Sequence, residues 1–170
     1  MKKLEPQIAL LVRFQVDFII IGGVAVVMHG ADYFTHDLDV CYSRIPENLE
    51  KLAAALKSVN ARLRGVPAGL PFILDAQTLK QGLNFTFETD IGPLDLLGEV
   101  AGVGTYLDAI KQSLTGQLLG YDLRLLSLHH LIAAKRAAGR PKDLLVLPEL
   151  EAILETQNSE TETNKEQITL

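Results

Sequence analysis

The run Phe18-Ile19-Ile20-Ile21 ends in Gly22-Gly23, and Thr35-His36-Asp37-Leu38-Asp39-Val40 follows it. This ordering constrains the chain more than any other feature. An apolar, β-branched run reads as a buried strand. A double glycine after a strand, with a helical segment next, lets backbone N–H groups come close to a phosphate. Asp37 and Asp39, spaced i and i+2 on a strand, project from one face, and Leu38 and Val40 project from the other. A phosphate cradle beside a carboxylate pair is what a Mg²⁺-nucleotide site requires. Asp-x-Asp pairs are common, and by itself this one reads more readily as the start of an exposed edge strand. Asp95, inside Gly92-Pro93-Leu94-Asp95-Leu96-Leu97, shifts the balance. A charge amid a buried strand is costly unless it is paired or holds a metal. If the strands are neighbours, three carboxylates converge on one cleft.

The remaining pattern predicts alternating helices and strands. A helix spans residues 4–14, with Leu4, Ile8, Leu11 and Val12 at helical spacing. Strands are expected at 16–21 and 37–42, with a short helix at 24–29 between them. Pro46 opens a helix striped by Leu49, Leu52, Leu56 and Val59. Gly65, Pro67, Gly69 and Pro71 mark residues 60–71 as a loop. Asp75 caps a short helix that stops at Gly82. Strands at 84–89 and 93–97 flank a turn at Asp90-Ile91-Gly92. A glycine-rich loop fills 98–104, a short helix 106–112, and a last strand 121–126. Ser127 caps a helix that ends at Gly139 and Pro141. Helical leucines fill 142–155, with Pro148 forcing a kink or restart. Residues 156–170 read as a polar, loosely held tail. The expected organisation is a single domain over 1–155, with its catalytic core at about 16–126 and C-terminal helices at 127–155.

With 170 residues, 48% of them hydrophobic, the chain can bury a real core. The single cysteine, Cys41, forms no internal disulfide, which points to a reducing cytoplasm. No signal-peptide apolar region or membrane-length segment is expected. Glu155, Glu160, Glu162 and Glu166 against Lys165 carry −3 of the formal net charge of −5. An acidic chain is not a typical bulk nucleic-acid binder, which disfavours large RNA acceptors without excluding a local basic patch.

These motifs together resemble the DNA polymerase beta-like nucleotidyltransferase superfamily. The nearest likeness is to its minimal bacterial branch, which includes abortive-infection toxins and antibiotic nucleotidyltransferases. The likeness runs from Ile19-Ile20-Ile21-Gly22-Gly23-Val24-Ala25 through Gly30, Thr35-His36-Asp37-Leu38-Asp39 and Gly92-Pro93-Leu94-Asp95-Leu96-Leu97. It returns at Leu131-Ile132-Ala133-Ala134-Lys135 and Gly139-Arg140-Pro141-Lys142-Asp143-Leu144, spanning roughly residues 16–150. It implies an α+β fold, a small mixed sheet with flanking helices and a C-terminal helical segment. It further implies transfer of a nucleoside monophosphate from a nucleoside triphosphate to an acceptor hydroxyl on a tRNA, a protein or a small molecule. Gly22 and Gly23 would contact the triphosphate. Asp37 and Asp39 would bind two Mg²⁺ or Mn²⁺ ions, and Asp95 would complete the metal site and help activate the acceptor. An antitoxin or a second copy of the chain is an implied partner. Related chains often carry an arginine two positions before the threonine, where this one has Tyr33. The site then needs another cation or a different nucleotide pose.

Lys135 falls on one helical face with Leu128, Leu131 and Ile132. It either snorkels from the core edge or enters the cleft, and the resemblance favours the cleft. Arg140 is a candidate for phosphate or acceptor contact. Asp143 reads as an acidic residue at a helix start, and Lys142 as a solvated cation. Ser43 follows the second strand and either touches nucleotide or shapes a turn. His29, His36, His129 and His130 lack metal-ligand spacing, and Cys41 has no partner that would make it a nucleophile. Three competing readings remain. One is a nucleotide- or partner-binding module that has lost catalysis. Another is a glycosyltransferase, which does not need the upstream glycines or the third aspartate. The last is a haloacid dehalogenase-type phosphatase, whose Asp-x-Asp follows an apolar strand, unlike Asp32-Tyr33-Phe34-Thr35-His36.

Overall fold

A computed structural model describes residues 2–67 and 72–168. Gly69 and Pro71 of the expected loop, and residues 169–170 of the expected tail, lie outside the described residues. After a 3₁₀ turn, helix α1 spans Glu5–Arg13, opened by Pro6, and buries Ile8 and Leu11. Strand β1 (Phe18–Ile20) runs directly into α2 (Gly22–Met28), so the helix starts at the double glycine itself. Strand β2 (Leu38–Tyr42) and α3 (Pro46–Ser58) follow, and α3 buries Leu49, Leu52 and Leu56 as its stripe predicts. A two-residue strand, β3 (Arg62–Leu63), lies within the expected loop. Helix α4 (Ala76–Gln81) is capped by Asp75, whose carboxylate accepts the Thr78 N–H at 2.7 Å.

Strands β4 (Asn84–Glu88) and β5 (Leu94–Leu97) form the expected antiparallel pair. The glycine-rich stretch carries a small hairpin, β6 (Glu99–Val100) and β7 (Gly104–Thr105), then α5 (Tyr106–Lys111). Strand β8 (Ser113–Leu118) has no counterpart in the sequence reading, and β9 (Tyr121–Leu126) pairs with it. Their two-residue turn places both Leu119 (φ 53°) and Gly120 (φ 86°) in the left-handed region, as a tight hairpin requires. A leucine there carries none of the usual turn signal. β8 is also an edge strand, with a glycine inside it and Leu114, Thr115 and Gln117 exposed without alternation, so little in its composition marks it.

Helix α6 (Leu128–Ala138) ends where Gly139 adopts φ 62°. Helix α7 runs unbroken from Pro141 to Ile168 with Pro148 inside it, continuing through most of the segment the sequence reads as a polar tail. Val146, Leu147 and Leu150 anchor its first half in the core, and helix propagation from such a nucleus costs little even for polar residues. No described helix is long and apolar enough to cross a membrane.

Seven strands make one mixed sheet in the order β3-β4-β5-β2-β1-β9-β8. β2 lies between β1, antiparallel to it, and β5, parallel to it. Ile19, Ile20, Leu38, Val40, Leu94 and Leu96 fill the core across these three strands. α5 packs on β1, β2 and β9, while α2 meets α6 and α6 meets α7. The aspartate-bearing ends of β2 and β5 therefore open toward a wall built by α6 and the start of α7.

Candidate active site

Register decides the site. In the parallel β2–β5 pair, Asp39 stands opposite Asp95, and Leu38 opposite Leu94. The two carboxylates therefore share a face, and Asp37 precedes β2 on the same side. One oxygen from each of Asp37, Asp39 and Asp95 can be chosen so that all lie within 4.8 Å of one another. All three side chains are part-buried rather than solvated. Asp39 is the most enclosed. Burial first, then the charges of Asp37 and Asp95, push its carboxyl up to about 6, against the opposing pull of the Gly23 N–H and Lys135. Burial also raises Asp95, offset by the nearby charge of Arg64. Three part-buried carboxylates with oxygens at this spacing match the hard-oxygen chemistry of Mg²⁺ or Mn²⁺.

The glycines serve this cluster sterically. Gly22 has φ 61°, and a Cβ there would collide with the Asp39 carboxylate. A Cβ on Gly23 would meet Thr35 at 2.7 Å and the Tyr33 ring at 3.0 Å. The double glycine thus lets β1, α2 and the loop before β2 close on one another. Thr35 fixes the first aspartate, its hydroxyl donating to Asp37 Oδ1 at 2.8 Å.

The opposite wall is cationic. Lys135 is buried and donates to Asp143 Oδ1 at 2.8 Å. The Arg140 Nε donates to the other oxygen, Oδ2, at 2.5 Å. Asp143 stands in the first turn of α7, as its reading as a helix-start acid expects, and has no exposed surface at all. Burial pushes its carboxyl up, but the hydrogen bonds from Arg140 and Lys135 and their charges outweigh that and hold it below the usual range. Lys135 also stands 5.7 Å above the Tyr33 ring. The cleft between the walls, about 90 Å³, is lined by Gly22, Asp39, Val100, Leu131, Lys135 and Arg140, among others. Lys142, beside Arg140 on α7, acts electrostatically on Asp95. Arg64, from the segment read as loop, reaches Asp95 Oδ1 at 2.6 Å. Cations from α6, α7 and the β3–β4 hairpin thus surround the cluster beside which Tyr33 lies.

Of the residues singled out in the sequence, Asp37, Asp39, Asp95, Gly22, Gly23, Lys135 and Arg140 come together. Ser43 does not, which corrects its assignment to the nucleotide. It follows Tyr42 at the far end of β2, roughly 13 Å along the strand from Asp39. It is buried there, and its carbonyl accepts Asn48 Nδ2 at 2.7 Å. His29 bonds the Leu126 carbonyl at 2.8 Å, closing a helix end. Ser127 occupies the N-cap position, but its hydroxyl pairs with His130 Nδ1 at 2.9 Å instead of a helix N–H. Cys41 is buried, and burial first pushes its thiol up to about 12, so it is inert. Asp143, Arg64 and Thr35 are the site residues that sequence reasoning passed over. Arg64 carried no signal, whereas Thr35 stands in the motif of the aspartate pair and Asp143 at i, i+3 from Arg140.

No protein-family profile matches the chain, and neither does any curated protein sequence. Solved structures do match. The lincosamide antibiotic adenylyltransferase LnuA, determined with lincomycin bound, aligns with a TM-score of 0.61 at 14% identity, over 90% of this chain and 97% of that one. This chain has the nucleotidyltransferase fold. The antibiotic-resistance factor ANT(2″)-Ia aligns in its solution structure with a TM-score of 0.55 at 15% identity, covering 99% of this chain and 96% of that one. Its crystal complex with adenylyl-2″-tobramycin gives 0.52 at 16% identity, over 91% and 94% of the two chains. The α+β architecture and the mixed sheet expected from the resemblance are those observed for this nucleotidyltransferase fold.

Proposed function

We propose that this chain is a metal-dependent nucleotidyltransferase that moves a nucleoside monophosphate from a nucleoside triphosphate to a hydroxyl of a small-molecule acceptor. The observation that carries the reading is the register of Asp39 against Asp95, with Asp37 alongside and the Gly22-Gly23 turn beneath. The small-molecule acceptor is supported by the acidic charge of the chain and by the antibiotic-bound proteins that share its fold.

Asp37, Asp39 and Asp95 would hold the divalent cations, with Thr35 fixing the orientation of Asp37. Bound Mg²⁺ or Mn²⁺ supplies the charge that makes the acceptor hydroxyl a better nucleophile and offsets the leaving oxygen. The acceptor oxygen bonds to the α-phosphorus as the bond to the β-phosphate bridging oxygen breaks, and pyrophosphate leaves with that electron pair. Asp95, on the acceptor side, takes the hydroxyl proton. The Gly22-Gly23 turn admits the phosphates close to the backbone. Lys135 and Arg140, oriented by Asp143, face the negative charge that builds on the transferring group.

The test is label transfer. Purified protein is incubated with each α-labelled nucleoside triphosphate, Mg²⁺ or Mn²⁺, and in turn a panel of hydroxylated small molecules, total RNA and cell lysate. The Asp37→Ala/Asp39→Ala variant runs alongside. Transfer to a small molecule by the wild type alone is the expected result. A labelled RNA or protein band instead would keep the chemistry and replace the acceptor class, in the manner of a toxin-type enzyme. Transfer retained by the double variant would overturn the mechanism. Metal-dependent nucleotide binding without turnover across the whole panel would favour a binding module.

A further inference from the structure

The β3–β4–β5–β2 register lines up one row of side chains across the sheet. The Arg64 N–H bonds the Thr86 carbonyl at 2.9 Å, extending the β3–β4 ladder by one residue. Thr86 is the partner of Asp95, and Asp95 is the partner of Asp39. Residues in register across adjacent strands share a face, so Arg64, Thr86, Asp95 and Asp39 point the same way. Arginine is long enough to reach over the intervening threonine. Its Nη2 donates to Asp95 Oδ1 at 2.6 Å and to the Phe87 carbonyl at 3.2 Å, and its Nε stands 4.0 Å from Glu88 Oε2. The Asp95 side chain is only 14% exposed, so this pair is partly shielded from solvent.

Resting on the metal-dependent reading above, we propose that Arg64 is a positioning residue that clips the third carboxylate and competes with the acceptor-side cation for Asp95. A divalent ion sits about 2.1 Å from a carboxylate oxygen. With the guanidinium at 2.6 Å on Oδ1, an ion sharing that oxygen would stand within roughly 5 Å of it, where like charges repel at a part-buried site. Cation binding at Asp95 therefore displaces Arg64. The displaced side chain keeps partners in reach, since Glu88 Oε2 stands 4.0 Å from its Nε and the Phe87 carbonyl 3.2 Å from its Nη2. The clip holds Asp95 in its site-facing orientation before metal arrives and lowers the affinity of that position. Asp37 and Asp39 would then hold a cation more readily than Asp95, whose position would gain affinity once substrate phosphate adds its negative charge.

The experiment is Mn²⁺ binding to the full chain, followed by calorimetry and by loss of the free-ion paramagnetic resonance signal. The proteins compared are wild type, Arg64→Ala, Arg64→Met, Arg62→Ala, Asp95→Asn and Arg64→Met/Asp95→Asn. Arg64→Met keeps most of the apolar stem and guards against a folding defect in the alanine variant. Arg62→Ala removes the same charge two residues before Arg64, where the side chain is 74% exposed and pairs with Asp90 at 3.7 Å. The clip predicts Mn²⁺ binding about five- to tenfold tighter in both Arg64 variants. It predicts no change in Arg62→Ala, and no effect of Arg64→Met when Asp95 is already asparagine. Unchanged or weaker binding in Arg64→Met overturns the clip, as does equal tightening in the Asp95→Asn background or in Arg62→Ala. Absence of saturable Mn²⁺ binding by the wild type overturns the metal-dependent reading itself, and the clip with it.

Discussion

The two walls of the cleft handle charge in opposite ways. On the sheet, Asp37, Asp39 and Asp95 crowd together with too little compensation of their own, and Asp39 is driven toward its protonated form. On the helices, Lys135 and Arg140 are matched by Asp143, one on each carboxylate oxygen. The acidic wall is electrostatically incomplete, whereas the basic wall is complete in its hydrogen bonding, with one positive charge to spare. An incomplete wall is suited to receive something brought from outside, which in the function proposed above is divalent cations. A complete wall is a rigid part that can present its cations at a set position without reorganising. The fold thus separates what must be recruited from what is built in.

The largest effect expected is on chemistry at the incomplete wall. Asp37→Ala/Asp39→Ala lowers nucleotidyl transfer by at least about a thousandfold, with an unchanged circular dichroism spectrum. The complete wall responds in the other currency. Asp143→Ala leaves Lys135 buried without its partner, which costs about 3–5 kcal/mol of stability, measured by urea unfolding. If Asp143→Ala instead kept full stability and lost only activity, the two walls would not differ as argued.

Protonation sharpens the contrast. The folded-state value of Asp39, about 6, lies above the 3.8 of an unperturbed carboxyl. Between those values the folded chain holds a proton that the unfolded chain has released. The contribution of Asp39 is therefore fully present below about pH 4 and is lost as pH rises through 6, on the order of 3 kcal/mol. Asp39→Asn, measured as Tm against pH without metal, should flatten this slope and raise Tm at pH 7 and above. Mg²⁺ should recover part of the loss in the wild type and not in the variant.

Backbone geometry is a smaller lever. Gly22→Ala strains a left-handed residue and drives a methyl group toward Asp39, costing about 2 kcal/mol by chemical unfolding together with weakened Mn²⁺ binding. The smallest effect belongs to Ser43→Ala, distant from the cluster. It should leave transfer kinetics unchanged and shift stability by about 1 kcal/mol or less. A large kinetic defect there would return Ser43 to the site.

Much of the acidic wall was legible because its signals are local. Gly22-Gly23 after a β-branched run, Asp37 and Asp39 two apart, and a lone Asp95 among leucines each violate the economy of a buried strand, and such violations read directly from sequence. The basic wall was only half legible. Lys135 was visible as a cation within an apolar stripe. Asp143 was not, because an acid in the first turn of a helix has an ordinary explanation in the helix dipole. Arg64 offered nothing, since its importance depends on β3 pairing with β4 and β4 with β5. Strand β8 escaped because an edge strand with a polar, glycine-containing sequence and a Leu-Gly turn lacks the usual periodicity. The helix through residues 156–168 escaped because propagation from a packed nucleus needs no apolar pattern.

The sequence by itself determined the strands that carry the aspartates, the glycine turn beneath them, the helix with Lys135 in its stripe, and hence the fold. These rest on hydrophobic periodicity and local backbone preference, which neighbours along the chain decide. Only the tertiary structure decided that Asp39 and Asp95 stand in register, that Asp143 is buried between two cations, that Arg64 clips Asp95, and that Ser43 lies at the wrong end of its strand. Those facts depend on which strands pair and at what offset. Pairing is a property of residues far apart in sequence, and no local preference encodes it.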